Sequence, residues 1–335
     1  MTAPTRARRT IDVGLFSVFA VFAVVLIALA IIDGTKFFQS SLAGLAIGGI
    51  YALVCLGFVV IYRATGLLNF AQVGLVTLGA FVAFNVVSTW GLSWWVAIAV
   101  SAVVCAIAGF LFQRFVLQPM TGAPLFSKIL ATIGIFLFLQ ALVEWIWGTG
   151  AASGQVIENP FMLSTFTFGS TPMLRIDVVS LALAVVLMVA FFVLFEYTRA
   201  GLSMRATAID PEAALAQGMN VNGVVALSWI IAGVTAAVAG TMLGSNASPN
   251  VGLNATMIAL VALRAFPAMV LGGLDSPLGA LVGGVIIGLL ESYALAYVPA
   301  ENLGQFAAVL PYLVMIGVLL VRPFGLFGSS DVRRI

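Results

Sequence analysis

Runs of about twenty predominantly apolar residues follow one another almost without pause along this chain. Each is long enough to cross the roughly 30 Å hydrocarbon layer of a bilayer as a helix. No other feature restricts the fold as severely. Lipid offers no hydrogen-bond partner, so a chain that enters it must pair its own backbone groups, and an unbroken apolar run does so as a helix. The composition agrees: 62% of the 335 residues are hydrophobic and 8% are charged, where soluble domains carry roughly 25% charged residues. The mean hydropathy is +1.19. These values identify an integral membrane protein, an all-α polytopic chain forming one transmembrane domain over 1–335.

Spans are predicted near 13–32, 42–62, 66–88, 92–115, 128–148, 177–195, 223–244, 255–272, 279–298 and 306–321, about ten in all. Arg6, Arg8 and Arg9 before the first run resemble the start of a signal peptide, and Ala28-Leu29-Ala30 resembles a cleavage site. The run from Val13 to Ile32 exceeds the usual 7–15 residues of a signal core, however, and is expected to be a retained span. The basic residues test the map. With the N-terminus cytoplasmic, Arg6, Arg8, Arg9, Arg63, Arg114, Lys128, Arg199, Arg205, Arg322, Arg333 and Arg334 fall inside, and Lys36 and Arg175 fall outside. That asymmetry is the positive-inside rule, and it puts the N-terminal tail (1–12), the loop 196–222 and the C-terminal tail (322–335) on the cytoplasmic side of a plasma (inner) membrane.

Two spans are interrupted. Asn69, Gln72 and Gly74 break the apolar pattern of 66–88, and Arg264 and Pro267 break that of 255–272, so these two are candidates for broken or re-entrant helices. Polar residues are costly in lipid and mark paths through it. Asn69, Gln72 and Thr77 at the start of one interrupted span, and Arg264 within the other, are therefore the candidate lining of a translocation path. The alternative for the amides is helix capping and a hydrogen bond to a neighbour, and for Arg264 snorkelling. Glu144, beside Trp145 and Trp147, is expected to be wet at the outer interface, and Glu291, near Tyr293 and Tyr297, similarly. Gly44, Gly48 and Gly49, and Gly279, Gly283 and Gly284, recur at the spacing that lets helix backbones approach closely, a packing role. The outer segment from Gly148 to Ile176 is too long for a plain turn, and is either a landing surface for a soluble partner or a disordered loop.

Several chemistries are excluded. The chain has no histidine, so no Ser–His pair and no His metal site exist. Cys55 and Cys105 lie singly inside apolar runs and are expected to be buried inert thiols, with no disulfide and no metal site. No Gly-x-x-x-x-Gly-Lys-Ser/Thr phosphate loop is present. With 12 acidic and 14 basic residues the net charge of +2 points to no nucleic-acid partner. No catalytic residue and no cofactor are assigned.

The loop 196–222 carries the segment PEAALAQGMN from Pro211 to Asn220. Asp210 suits an N-cap, Pro211 the first helical turn and Glu212 the positive end of the helix dipole, and Gly218 suits a stop after about two turns. A short helix is predicted whose small side chains, Ala213, Ala214 and Ala216, fit a protein socket better than a lipid surface.

The Glu-Ala-Ala, three residues, Gly pattern of that segment resembles the coupling loop of ABC-importer permeases. GGIYALVCLGFVVIYRATGLLNFAQVGLVTLGAF, residues 48–81, resembles the first half of the permeases of branched-chain amino acid importers, which bear an Asn-Phe-Ala-Gln/His element. FPAMVLGGLDSPLGALVGGVIIGLLES, residues 266–292, resembles the second half of that family. The likeness covers roughly 40–322 in order. It implies a type II-like ABC importer permease fold in which Arg205, Glu212, Ala213, Ala214 and Gly218 couple to an ATPase. The partners it implies are two ABC ATPase subunits, a second permease that is similar or identical, an extracytoplasmic substrate-binding protein and membrane lipid. The implied cargo is a branched-chain amino acid, or the urea, short amides or aromatic acids of similar relatives. Val73 stands where family members often carry glycine. The alternatives left by the residues alone are an ion-coupled secondary transporter, which needs buried carboxylates, and a membrane enzyme, which needs paired acids or ligands within the spans.

Overall fold

The computed structural model describes residues 33–148, 155–162, 164–168, 171–246, 253–298 and 306–328. The predicted span 13–32, the N-terminal tail 1–12 and the end of the C-terminal tail lie outside them. Among the described residues eight helices are long and apolar enough to cross a membrane, and Ala308–Val321 is a shorter apolar stretch. Each of the other nine predicted spans falls largely on helix.

Helix α1 (Gly34–Thr65) has 32 residues, about 48 Å at 1.5 Å per residue, and so overshoots the hydrocarbon layer. The Asp33 side chain caps its start by accepting from the Lys36 amide at 3.0 Å. Gly66, at φ 67°, ends it in the left-handed conformation and returns its N–H to the Tyr62 carbonyl. From Ile50 to Ile61 every residue of α1 is buried, so the helix is the central mast of the fold.

Around it stand α2 (Ala71–Ser88), α3 (Trp94–Phe112, continued by a π-helical turn Gln113–Leu117), α4 (Leu125–Trp147) and α5 (Arg175–Tyr197). Helices α6 (Arg199–Ile209) and α7 (Pro211–Ala216) form an elbow in the loop predicted to be cytoplasmic. Then come α8 (Val221–Ser245), α9 (Ala255–Leu263), α10 (Ala265–Gly272), α11 (Pro277–Tyr297) and α12 (Phe306–Val321). The closest pairings join α1 to α11, and α8 to α2, α3 and α1.

Lipid tails are as apolar as leucine, so nothing squeezes these helices together as water would, and close backbone contact must do it. A Cβ at Gly48 would stand 2.8 Å from the Val285 Cα, and one at Gly44 2.8 Å from the Leu289 Cα. On the facing helix a Cβ at Gly284 would meet the Ala52 nitrogen at 2.7 Å, and one at Gly288 the Gly48 Cα at 2.5 Å. Gly279 and Gly283, read from spacing as part of one stripe with Gly284, instead face α10 at Gly272 and Ala268. Helix α11 therefore carries two glycine faces, and Gly288, absent from the predicted stripe, completes the one toward α1.

The described residues between α4 and α5 are tied to the body at several points. Residues 165–168 and 171–174 pair as an antiparallel hairpin. Ile157 is fully buried, with its amide on the Gly244 carbonyl at 3.2 Å, and the Leu253 amide bonds the Gln155 carbonyl at 2.8 Å. At the other face the chain after α12 folds back onto the body. The amides of Leu326 and Phe327 reach the carbonyls of Leu271 and Gly272 at 2.8 and 2.9 Å, closing the open end of α10.

If the α1–α11 seam is backbone on backbone, Gly48→Leu and Gly284→Leu should each destabilise the purified protein by at least the roughly 1–3 kcal/mol typical of overpacking. Gly134, where a Cβ would meet nothing within 4 Å, provides the control, and Gly134→Leu should stay within about 0.5 kcal/mol of the parent. Thermal unfolding in detergent reads the difference. Equal stability of all three variants would show that the seam tolerates side chains.

Candidate functional site

The two interrupted spans meet. Between α1 and α2 the chain from Gly66 to Phe70 leaves the helix, and its backbone is served by side chains, as non-helical backbone at membrane depth must be. The Leu67 amide bonds Thr65 Oγ1 at 3.2 Å, and Thr132 of α4 accepts from the Phe70 amide at 3.2 Å while lying 3.5 Å from the Leu68 carbonyl. The second interruption, at Arg264 between α9 and α10, follows from Pro267. Proline has no N–H for the Leu263 carbonyl four residues back, and its ring crowds that turn. Phe70 stacks on Phe266 with centroids 5.5 Å apart, and Phe58 of α1 meets the same ring edge-on at 6.3 Å. The Cys55 thiol donates to the Ala265 carbonyl at 3.0 Å.

Asn69, Gln72 and Thr77 are fully buried within this chain. Asn69 Oδ1 accepts from the Ala71 amide at 3.2 Å, and Gln72 Nε2 donates to the Ala232 carbonyl at 3.3 Å. Thr77 turns back onto the Val73 carbonyl of its own helix. The amides thus do cap and brace, but only with half of each group: Asn69 Nδ2 and Gln72 Oε1 are buried without a hydrogen-bond partner. Gln72 lies hard against Gly57, where any Cβ would displace it. Val73 is also fully buried, and the close approach falls one residue later: a Cβ at Gly74 would stand 2.9 Å from the Leu139 Cβ of α4.

Arg264 does not stand alone. Its Nη1 is ion-paired to Glu291 Oε1, and the Tyr51 hydroxyl donates to Glu291 Oε2 at 2.6 Å. Glu291 is 5% exposed, which corrects the expectation that it is wet beside Tyr293 and Tyr297. The side chain of Arg264 keeps 25% of its surface. The pair therefore has one open edge, on the arginine. Glu144 is half-buried beside Gln140 and Thr256, which donate to it at 3.0 and 3.4 Å, with Trp145 exposed next to it. Cys55 and Cys105 are both buried and free.

On the far side of the loop, Asp210 Oδ1 accepts from the amides of Glu212 and Ala213 at 3.0 and 2.9 Å, capping α7. Gly218 ends the turn at φ 78°, with open space where its Cβ would be, so the conformation alone requires glycine there. Glu212 and Ala213 are exposed, but Ala214 is 4% exposed and packs into the chain. Arg205 also turns inward: its guanidinium donates to the Phe195 carbonyl at 2.6 Å and to Glu196 Oε2 at 3.0 Å, the negative end of α5. The open face of the elbow carries residues the motif did not mark, with Ile209 81%, Leu215 57% and Leu202 55% exposed.

A family model described as branched-chain amino acid transport system / permease component matches residues 40–319. The high-affinity branched-chain amino acid transport system permease protein LivH of Escherichia coli (strain K12) is 29% identical over 311 residues, 89% of this chain and 98% of that one. BraD of Pseudomonas aeruginosa, also named a high-affinity branched-chain amino acid transport system permease protein, is 29% identical over 317 residues with the same shares. The galactofuranose transporter permease protein YtfT of Escherichia coli is 30% identical over 225 residues, 63% of this chain and 65% of that one. A solved structure, PsaBC from Streptococcus pneumoniae in complex with Fab, aligns at a TM-score of 0.47 and 13% identity over 89% of this chain and 94% of that one, too distant to carry an argument.

Removing one partner of a buried ion pair leaves the other uncompensated, at a cost of about 3–5 kcal/mol when burial is complete. Arg264→Met, which strands the buried Glu291, should therefore destabilise strongly, and Glu291→Gln by less, because the arginine left behind has an open edge. The double change Arg264→Met with Glu291→Met should recover most of the loss. Thermal unfolding of the three variants measures this, and additive losses in the double variant would mean that the two charges are not coupled.

Proposed function

Since the chain belongs to the permease components of branched-chain amino acid transport systems, we propose that it forms half of the translocation path of an ATP-driven importer. The cargo is a branched-chain amino acid or a related small amino acid, amide or organic acid, handed over by an extracytoplasmic binding protein. A second permease, similar or identical, supplies the other half, and two ATPase subunits supply the energy. The N- and C-termini lie on the cytoplasmic side, and the fold is of the type II-like importer class.

The observation that carries this reading is the α6–α7 elbow. It is a capped pair of helices on the basic side of the molecule, outside the apolar spans, with Glu212, Ala213, Ile209 and Leu215 open to a partner. A connector resting on lipid would need a broad apolar face, whereas a few exposed apolar side chains around a small alanine suit a close protein contact. Arg205 and Ala214 hold the elbow in place, and Gly218 releases the chain into α8. An ion-coupled transporter would need an acid free to load a cation, but Glu291 is already held by Arg264 and Tyr51. Asn69 and Gln72, with a donor and an acceptor left over, and the open edge of Arg264 are the groups offered to cargo or to a changed helix arrangement during transport.

Ala213→Trp should weaken capture of the ATPase subunit by about 1–3 kcal/mol, roughly fivefold to a hundredfold in affinity, with the permease present at normal membrane level. Ala214→Trp should instead lower that level, because its site is filled by the chain itself. Pull-down of the ATPase from membranes and quantitative blotting separate the two. Normal ATPase retention and transport in Ala213→Trp would reduce the elbow to a connector.

Replacing Asn69 or Gln72 with leucine should lower transport per assembled complex in proteoliposomes, with any loss of thermal stability limited to the roughly 1–3 kcal/mol of one buried group left unpaired. Lost stability with unchanged transport per complex would make both residues braces only.

A further inference from the structure

One aromatic ring joins three elements at the basic face. Phe195, near the end of α5 and 3% exposed, has the Arg63 guanidinium 4.1 Å from its ring centroid and the Arg205 guanidinium 5.3 Å from it. Arg63 belongs to the last turn of α1 and Arg205 to α6. Guanidinium is weakly hydrated and stacks well on an aromatic face, so a buried ring of this kind is a strong place to hold it. Two cations around one ring repel each other, and acids nearby offset this. Glu196 pairs with Arg205 at 3.0 Å and lies within electrostatic reach of Arg63, as does Asp275 in the turn between α10 and α11.

Arg205 and Gly201 lock α6 onto the end of α5. Arg205 donates to the Phe195 carbonyl, and Gly201 allows an approach in which a Cβ would stand 2.5 Å from the Leu194 carbonyl oxygen. The elbow and the end of α5 are therefore tied together. Helix α1 packs against both α5 and α6, while α8 follows the elbow directly in the chain. Its middle holds Glu291 through Tyr51, and its outer half holds α11 through Gly44 and Gly48. Gly49 of α1 packs on α5, where a Cβ would stand 3.3 Å from the Leu181 Cα, and the Arg63 guanidinium over the Phe195 ring adds a second tie between the two helices at the basic end.

We propose that Arg63 is a positioning residue for transport: through the face of Phe195 it passes displacement of the α6–α7 elbow into α1, and so to the Tyr51–Glu291–Arg264 group beside the broken helix. The inference rests on the reading that the elbow seats an ATPase subunit. Its test uses the complete importer in proteoliposomes and reads substrate moved per ATP hydrolysed, together with ATPase pull-down.

Arg63→Met and Phe195→Leu, which keep bulk but remove the cation or the ring, should lower that ratio about fivefold, a modest coupling factor, with ATPase retention unchanged. Arg63→Lys, which keeps a cation over the ring, should restore most of it. A normal ratio in Arg63→Met overturns the proposal, as does equal loss in Arg63→Met and Arg63→Lys, which would mark a steric role. Failure of both Arg63→Met and Phe195→Leu to assemble would assign the ring to folding and also overturn it. If Ala213→Trp leaves ATPase retention and transport intact, the seating of the elbow fails instead, independently of these ratios.

Discussion

A backbone amide or carbonyl inside a bilayer has no water to turn to, and an unpaired one costs several kcal/mol. Two places where the described helices end or break show how that cost is met. The stretch from Gly66 to Phe70 is accepted because Thr65 and Thr132 supply side-chain oxygens to its amides. The end of α10 is closed by the amides of Leu326 and Phe327. The same lack of water removes the usual force between helices, which is why glycine lines the seam between α1 and α11 and why α1 is buried along most of its length.

Charges obey the same solvent. Arg264 is tolerable within a span because Glu291 neutralises it and Tyr51 serves the remaining carboxylate oxygen. At the basic face, Arg205 is drawn to the negative end of α5 and Arg63 to the Phe195 ring, so neither lies fully open. Helix α1 runs between the two groups. A helix about 48 Å long, longer than the layer it crosses, runs from the basic face to the depth where the polar groups are kept.

The α6–α7 elbow shows how a motif and its environment divide the information. Asp210, Pro211 and Gly218 announce a short helix because capping, a fixed φ and a left-handed stop are local properties, and all three act as local chemistry requires. Ala213 and Ala214 look alike in the sequence, yet one faces outward and the other packs into the chain, and Arg205 turns inward although it is basic and in a loop. Ile209 and Leu215 carry no motif and stand open to the surroundings. Facing depends on what lies across the gap, and that is set by other parts of the chain.

By itself the sequence determined the helices, their approximate ends and their two interruptions, because lipid punishes unpaired backbone wherever it occurs and the response, a helix or a proline break, is local. The bias of Arg and Lys toward alternate loops likewise set an expected topology. Only the tertiary structure decided which helices touch. It sent Gly279 and Gly283 to α10 and brought Gly284 and Gly288 to α1. It turned Glu291 from an interfacial acid into the partner of Arg264, which belongs to a different span. It left one donor of Asn69 and one acceptor of Gln72 unpaired. A side chain's partner across a helix interface is fixed by rotation about the helix axis, and in a chain apolar on nearly every face, periodicity carries almost no record of that rotation.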